Sequence, residues 1–511
     1  MIEVDVHQQL REFLREQGEP HWSHHLTIAR LVARTLQSQR SALIQVGGVA
    51  MYQGRHRLSY LVPLLLLPKS VILVAEEAVQ HRLLRVEIPR LCESMRISKP
   101  IRTGDRWPSP EFQGVLLTTP TDWLADHCHQ SGRFPAAIPT VLDGAEALEH
   151  LTRQQMTVSL IPQDWEALML TYPQQAEAIR DHRVRLTKAL FQHPPNPYGC
   201  ALIDQPEREI LFQLGQVLQS WNLHLSPNNW QSFWQLLARN DYLFWAEIDR
   251  EWGQFTLNTA PIDLSPVLSG LWSRQPLVLL GSGLDLEVNA SLYRKQIGLG
   301  DLTCLKFAPD RQQEVIQLYL PEQMPMPNTP EFQTALLAQI RQLLSTSSGA
   351  GLTVLIVEDL PLRGQIGAIL AAEYGSRVQV ETLSVEGNGV LVTGWQFWQQ
   401  SQQRLPFPHL LAIATLPLPS PEDPRVAGRV AYHKRLRQDW FRLYLLPQAL
   451  STLERAIAPV RGTSAMVAIL DPRVVHRSYG EQVLSVLSPY VRINYLSPHL
   501  FAANEYLVQD L

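Results

Sequence analysis

The sequence predicts an α/β protein built as two lobes, each a parallel sheet flanked by helices, with a mainly helical insertion in the first lobe. Three observations carry this. Short continuous Val/Ile/Leu runs alternate with helical patterns, which is the signature of strands buried on both faces. The runs fall into two clusters, and the text between the clusters, from about Ala147 to Ser273, turns into long helical stretches.

The first cluster holds "SALIQVGG" (41–48), "SVILVAEE" (70–77), "GVLLTTP" (114–120) and "PTVLDG" (139–144). The second opens with "PLVLLGSG" (276–283) and continues through "LTVLIVED" (352–359), "GVLVTG" (389–394), "LLAIATLP" (410–417) and "MVAILDP" (466–472). Between them, "PQQAEAIRDHRVRLTKALF" and "REILFQLGQVLQSW" read as helices broken at "HPPNPYG" (193–199), where prolines and glycine cannot continue one. Alternation in "FWAEID" and "QFTLNT" around "REWG" predicts a hairpin at the end of this insertion. The expected division is a first lobe at 1–146 with an N-terminal helix, an insertion at 147–275, a return to the first lobe and an inter-lobe connection at 276–335, and a second lobe at 336–511.

Composition narrows the function classes. A 511-residue chain with 45% hydrophobic and 18% charged residues is globular and able to bury sizeable cores without staples. Cys92, Cys128, Cys200 and Cys304 lie far apart with no CxxC pair, so no disulfide framework or zinc ribbon is written here and a reducing, cytoplasmic setting is expected. The longest apolar run, Leu58 to Ala75, is cut by Pro63, Pro68 and Lys69, so no membrane span is expected. With a net charge of −4, any nucleic-acid binding must rest on local basic patches.

The turn after the first strand is the test for nucleotide chemistry. A phosphate cradle needs GxxxxGK[ST], in which glycines bring backbone N–H groups to the phosphates, lysine neutralises charge and the hydroxyl holds magnesium. "GGVAMYQGRHRLSYLVP" (47–63) has the glycines, but Arg55, His56 and Arg57 follow Gly54. On residue types alone a solvent-exposed basic turn is favoured over a phosphate loop.

Longer stretches then match a known pattern. "YLVPLLLLPKSVILVAEEAVQHRLLRVEIPRL" (60–91), "GVLLTTPTDWLADH", "IPTVLDGAEALEHL", "LYLPEQMPMPNTPEFQTALLAQIRQLL" (318–344), "LLAIATLPLPSPEDPRVAGRV" (410–430) and "YLLPQALSTLERAIAPVRGTSAMVAILDPRVVHRSYG" (444–480) resemble, in order, DinG-type and XPD-like superfamily 2 DNA helicases over about residues 25 to 490. The resemblance implies two RecA-like lobes, ATP and Mg²⁺ as cofactors, and single-stranded DNA or another nucleic acid as partner.

It also places departures on the chemistry. His56 stands at the phosphate-loop lysine and Arg57 at its Ser/Thr. Asp143 remains to reach magnesium, but Gly144 replaces the glutamate that polarises water and Glu146 the histidine of the same box. Gly281, Ser282 and Gly283 replace Ser-Ala-Thr. In "TGWQFWQQSQQ" (393–403) Phe397 and Trp398 are kept, while Gln399, Gln400 and Gln402 replace Glu, Gly and Asp. Ala458 stands at the arginine finger and only Arg461 survives of that motif. A finger alone carries about 10³–10⁵ in rate, so the expectation is a pseudo-helicase. An active but divergent helicase and a scaffold subunit that contacts only a protein complex are the alternatives. Cys92 and Cys128 alone lie between the phosphate loop and "DGAE", too few for the family's iron–sulfur cluster.

Other candidates are weaker. "HWSHH" (His21, His24, His25) and "DHCH" (Asp126, His127, Cys128, His129) hold metal-capable side chains whose adjacent members point apart. Trp221, Trp230, Trp234, Phe244, Trp245 and Trp252 could stack on bases, but a packed core is the favoured reading. The best basic patch is "GRVAYHKRLRQDWFR" (428–442), with Arg429, Lys434, Arg435, Arg437 and Arg442 interleaved with Tyr432, Trp440 and Phe441; "RDHRVRLTK" (180–188) is a second.

Overall fold

The computed structural model describes residues 2–16, 18, 22–219, 226–272, 275–309, 314–347, 351–461, 463 and 465–497. His21 and Trp221 lie outside them. Strands β1 (Ala42–Gln45), β2 (Val71–Val74), β3 (Ile101–Thr103), β4 (Val115–Thr118), β5 (Thr140–Asp143), β10 (Leu277–Gly281) and β11 (Thr303–Lys306) form the first sheet. Between them run β6 (Val158–Leu160), β7 (Cys200–Leu202), β8 (Tyr242–Asp249) and β9 (Gln254–Pro261). The second sheet comprises β12 (Ile316–Tyr319), β13 (Leu352–Ile356), β14 (Val378–Val380), β15 (Val390–Thr393), β16 (Pro408–Ile413), β17 (Met466–Ile469) and β18 (Tyr490–Ile493).

The strand orders are β11-β1-β10-β5-β2-β4-β3 and β14-β15-β13-β16-β17-β12-β18, parallel throughout. This is the expected α/β architecture of two RecA-like lobes. Strand β12 joins the second sheet inside the 276–335 connection. Every residue of β1, β2, β4 and β5 is buried, because alternate side chains serve opposite layers. In β2, Val71 and Leu73 face a core with Leu10, Phe13 and Val32 from the helices Ile2–Glu16 and His25–Ser38. Ile72 and Val74 face Trp123, Leu124 and Leu268 on the other side.

The insertion has its own core. Trp165, Trp230, Phe233 and Phe244 are buried together, with Trp165 and Trp230 edge to face at 4.8 Å, and the antiparallel sheet β6-β9-β8-β7 supports them. The hairpin expected around "REWG" is β8–β9, paired from Tyr242↔Pro261 to Asp249↔Gln254. Trp245 sits in a small apolar cluster with Cys200, Leu243 and Tyr432, and among the described members of the series only Trp252, at the hairpin tip, is largely exposed. Most of the aromatic series is therefore packed in the core rather than available for stacking.

Replacing Trp165 by alanine should cost the insertion about 3–5 kcal/mol. Hydrogen exchange should then speed up in the helix Ala176–Gln192, while the strands of both parallel sheets keep their protection. Equal loss of protection in all three parts would contradict an independent insertion core.

Candidate functional site

Ligands of open parallel sheets bind beyond the carboxyl ends of the strands. In the first lobe those ends carry Gly47–Gly48 after β1, Asp143–Gly144 at the end of β5 and Gly281–Gly283 after β10. After Gly47 the chain winds into a short helix, Gly48–Tyr52, then turns through Gly54 (φ +71°) into the helix Arg57–Leu66. That turn is not the solvent-exposed basic turn that its residue types suggest. His56 and Arg57 are 1% and 8% exposed, because each finds a carboxylate inside.

His56 Nε2 lies 2.8 Å from Asp143 Oδ1, and its Nδ1 is 3.2 Å from the Ala50 carbonyl oxygen. Tyr60, one helical turn after His56, donates its hydroxyl to Asp143 Oδ2 at 2.8 Å. Both oxygens of the carboxylate expected to reach magnesium are thus held by side chains of the chain itself. Burial pushes the Asp143 carboxyl up, but the charge and hydrogen bond of His56, then Arg57 and Tyr60, outweigh it and hold the carboxyl below its ordinary 3.8. Arg57 reaches Glu87 at 3.8 Å, and Arg82 closes on the same carboxylate at 2.8 Å.

Gly144 is in the left-handed region (φ +99°), where glycine alone is at ease; a side chain there would have room but a strained backbone. Glu146 is half-buried and accepts a hydrogen bond from the Ser282 amide at 3.3 Å. Burial pushes its carboxyl up, and Arg455 of the second lobe pulls it back.

The second lobe closes over this region. Ala458 is buried on a helical turn, Ala458–Val460, and a side chain at Gly48 would stand 3.5 Å from Ala458 Cβ and 3.2 Å from the Glu454 carbonyl oxygen. One at Gly283 would stand 3.2 Å from Ser451 Cα. Tyr52 donates to the Gln402 carbonyl at 3.0 Å and Gln296 to the Leu443 carbonyl at 2.9 Å, both across the lobes. Within the second lobe, Trp398 donates to the Ala456 carbonyl at 2.9 Å and Gln399 to that of Thr452 at 3.4 Å. Arg461 does not serve the cleft: its guanidinium donates to the carbonyls of Glu314, Val486 and Ser488, at 3.0, 3.0 and 3.1 Å, inside its own lobe. Tyr60, Glu87, Glu454 and Arg455 escape the motif reading, although the spacing of Tyr60 from His56 places the two on one helical face.

The metal-capable clusters have structural partners. His25 Nδ1 is 3.2 Å from Ser59 Oγ, and Asp126 accepts from the amides of Arg133 and Phe134 at 2.7 and 3.1 Å. Among the described residues no group of three His, Cys, Asp or Glu side chains is placed to hold a metal ion, and no helix is long and apolar enough to cross a membrane.

The basic stretch 428–442 occupies the end of the helix Pro424–Arg435 and the turn after it. Lys434 Nζ sits 5.3 Å over Trp440, and Arg435 and Arg429 lie 5.4 Å over Tyr432 and Tyr444. Arg442 pairs with Asp439 at 3.7 Å, and Arg437 is exposed. Each of these three rings already carries a cation. In the weaker patch Arg183 lies 6.0 Å over Trp165, and Arg185 donates to Gln213 at 3.0 Å.

No protein-family model matches the chain. It is similar to the ATP-dependent DNA helicase YoaA of Escherichia coli (strain K12), 23% identical over 265 residues, which are 49% of this chain and 41% of the relative. The Haemophilus influenzae YoaA is 22% identical over 260 residues, 48% of this chain and 40% of the relative. The aligned segment thus spans about two fifths of the length of these relatives. Among solved structures, an XPD helicase superposes with a TM-score of 0.59 at 11% identity, covering 93% of this chain and all of the other. S. tokodaii Xpd4 gives 0.57 at 12%, covering 92% of this chain and all of the other. The fold is that of the solved XPD helicases, two parallel-sheet lobes with an insertion. In sequence the chain is similar to DinG-type helicases over about half its length.

Removing His56 leaves a buried carboxylate short of its main partner, and His56→Ala should cost about 3–5 kcal/mol. Because the Asp143 carboxyl is held low in the folded state, its stabilisation is complete above the unfolded pKa and lost as pH falls through the folded one. The stability gap between wild type and Asp143→Asn, measured by urea unfolding, should therefore narrow below about pH 4. A gap unchanged down to about pH 3 would contradict the pairing.

Proposed function

We propose that this chain is a pseudo-helicase: it keeps the two-lobed helicase fold, has lost the ATP-driven motor, and binds single-stranded DNA or another nucleic acid through the surface around Arg429, Lys434, Arg435, Arg437, Trp440 and Arg442. The observation that carries this reading is Asp143, whose two oxygens are engaged by His56 and Tyr60. The residues do not fit the Mg²⁺ and ATP that the family resemblance implies. The metal-binding carboxylate is taken, a buried arginine stands for the hydroxyl, and Ala458 packs on Gly48 where a finger would reach a phosphate. Catalysis in this class is positioning and charge stabilisation, and the residues at those positions are engaged by partners within their own lobes, with Ala458 packed across them. The curated relatives are ATP-dependent DNA helicases by name, which supports a nucleic acid as the ligand of this fold. The four free cysteines support a reducing, cytoplasmic setting.

A paired titration tests the reading. Purified full-length chain should bind labelled single-stranded DNA without nucleotide and leave a fluorescent ATP analogue unbound. Reversing Lys434, Arg435 and Arg437 to glutamate should weaken DNA binding across all sequences and flatten its salt dependence. Robust DNA-stimulated ATP hydrolysis, abolished by Asp143→Ala, would overturn the proposal. Unchanged DNA affinity in the triple variant would move the patch to a protein partner.

A further inference from the structure

The helix Pro424–Arg435 has two packed faces. Val426 and Val430, one turn apart, form a small buried cluster with Leu445 of their own lobe, separate from the cores on the two sides of the second sheet. Gly428, Tyr432 and Arg435 follow one another by four and three residues, which puts them on the opposite face. That face meets the insertion. A side chain at Gly428 would collide with Leu243 of β8 and stand 3.2 Å from Leu202 Cδ2 of β7. Tyr432 packs among Cys200, Leu243 and Trp245, and Arg435 Nη2 donates to the Asn240 carbonyl at 2.7 Å. Glycine inside a helix costs stability relative to alanine; here it lets the helix backbone lie close against two strands.

The insertion is in turn fixed to the first lobe. Arg153, on the helix Leu148–Gln155, donates to the Ile262 carbonyl at 3.3 Å and to the Pro261 carbonyl, where β9 ends. Leu148 on the way into the insertion and Leu264 and Leu268 on the way out are buried in the first-lobe core. The two lobes are therefore joined along two routes. One is direct, through Gly48 against Ala458, Tyr52 on the Gln402 carbonyl and Gln296 on the Leu443 carbonyl. The other runs through the insertion and the helix docked on it. Contacts closed by one chain support each other, since each holds the partners of the other at high effective concentration. By linkage, loosening either one weakens the other. The helix is entered through residues 414–423, which carry no helix or strand, so its docking can be released without dismantling either sheet.

We propose that the helix Pro424–Arg435 is a latch: docked on the insertion through Gly428, Tyr432 and Arg435, it keeps the second lobe closed on the first with no nucleotide present, and its release lets the cleft open. The device acts on the position of the lobes. It therefore goes beyond the ligand assigned above and holds whether or not the basic stretch binds nucleic acid.

Hydrogen exchange of the full chain, without added ligand, tests the latch. Gly428→Val forces the docked faces apart but does not weaken the helix itself, since valine is at least as good a helix former as glycine. Exchange should quicken roughly ten-fold in the helix Pro424–Arg435, and with it in the helix Gly48–Tyr52 and the turn Ala458–Val460 that meet at the cleft, while both parallel sheets keep their protection. Adding Leu243→Ala, which removes as many carbon atoms as valine brings, should return all three segments toward their wild-type rates. Arg435→Ala, which adds no bulk and withdraws the bond to Asn240, should shift them in the same direction by a smaller factor. Faster exchange in the helix Pro424–Arg435 with the cleft segments unmoved would reduce the contact to local packing and overturn the latch, as would wild-type rates everywhere. If Gly428→Val strips protection from the sheets as well, Arg435→Ala decides, and cleft segments that keep their rates in that variant overturn the proposal.

Discussion

The Asp143 carboxylate, buried and shared between His56 Nε2 and the Tyr60 hydroxyl, is the interaction on which the rest of the first lobe's cleft depends. A buried carboxylate must be compensated, and its two hydrogen-bond donors come from residues one helical turn apart. That requirement fixes the start of the helix Arg57–Leu66 against the end of β5. With the charge met internally, the glycine turn before it is free to tighten into the helix Gly48–Tyr52, and that helix gives Ala458 and Glu454 of the second lobe a surface to pack on.

The same logic runs through the cleft. Glu146 takes the Ser282 amide, Arg57 takes Glu87, and Arg461 spends its donors on three backbone carbonyls of its own lobe. In a motor these positions exchange partners with nucleotide as the lobes open and close. Here they have protein partners within their own lobes, while contact between the lobes is carried by Tyr52 on the Gln402 carbonyl, Gln296 on the Leu443 carbonyl and Gly48 against Ala458. The helix Pro424–Arg435 adds a second connection, because it belongs to the second lobe and packs on the insertion that branches from the first.

Much of the fold was legible in the sequence because parallel strands buried on both faces have to be continuous Val/Ile/Leu runs. Strands β1, β2, β4, β5, β10, β13, β15, β16 and β17 all show such runs. Of the strands that did not announce themselves, β3, β6, β7, β11, β14 and β18 are short and lie at sheet edges, where the buried pattern fades; β12 is an inner strand, but its four residues are interrupted by Gln317. The site was legible in composition but not in geometry. Motif positions identify which residues depart from the pattern the family resemblance implies; they do not say that His56 and Arg57 are buried, since histidine and arginine after a glycine read as a solvated turn. Only the carboxylates that receive them, Asp143 and Glu87, far off in sequence, decide that. The patch shows the reverse: its cations were evident, while the partners that hold them, Asn240 for Arg435 and Tyr444 for Arg429, come from separate elements that no local pattern connects.

The account turns on whether Asp143 is available to a metal-bound nucleotide. Thermal unfolding of the full chain with and without millimolar Mg²⁺ and ATP tests this most directly, because any ligand that binds the folded state raises the midpoint by mass action. Engagement of both carboxylate oxygens by His56 and Tyr60 predicts a midpoint that does not move. A dose-dependent rise with Mg²⁺ and ATP together, absent in Asp143→Asn, would contradict it.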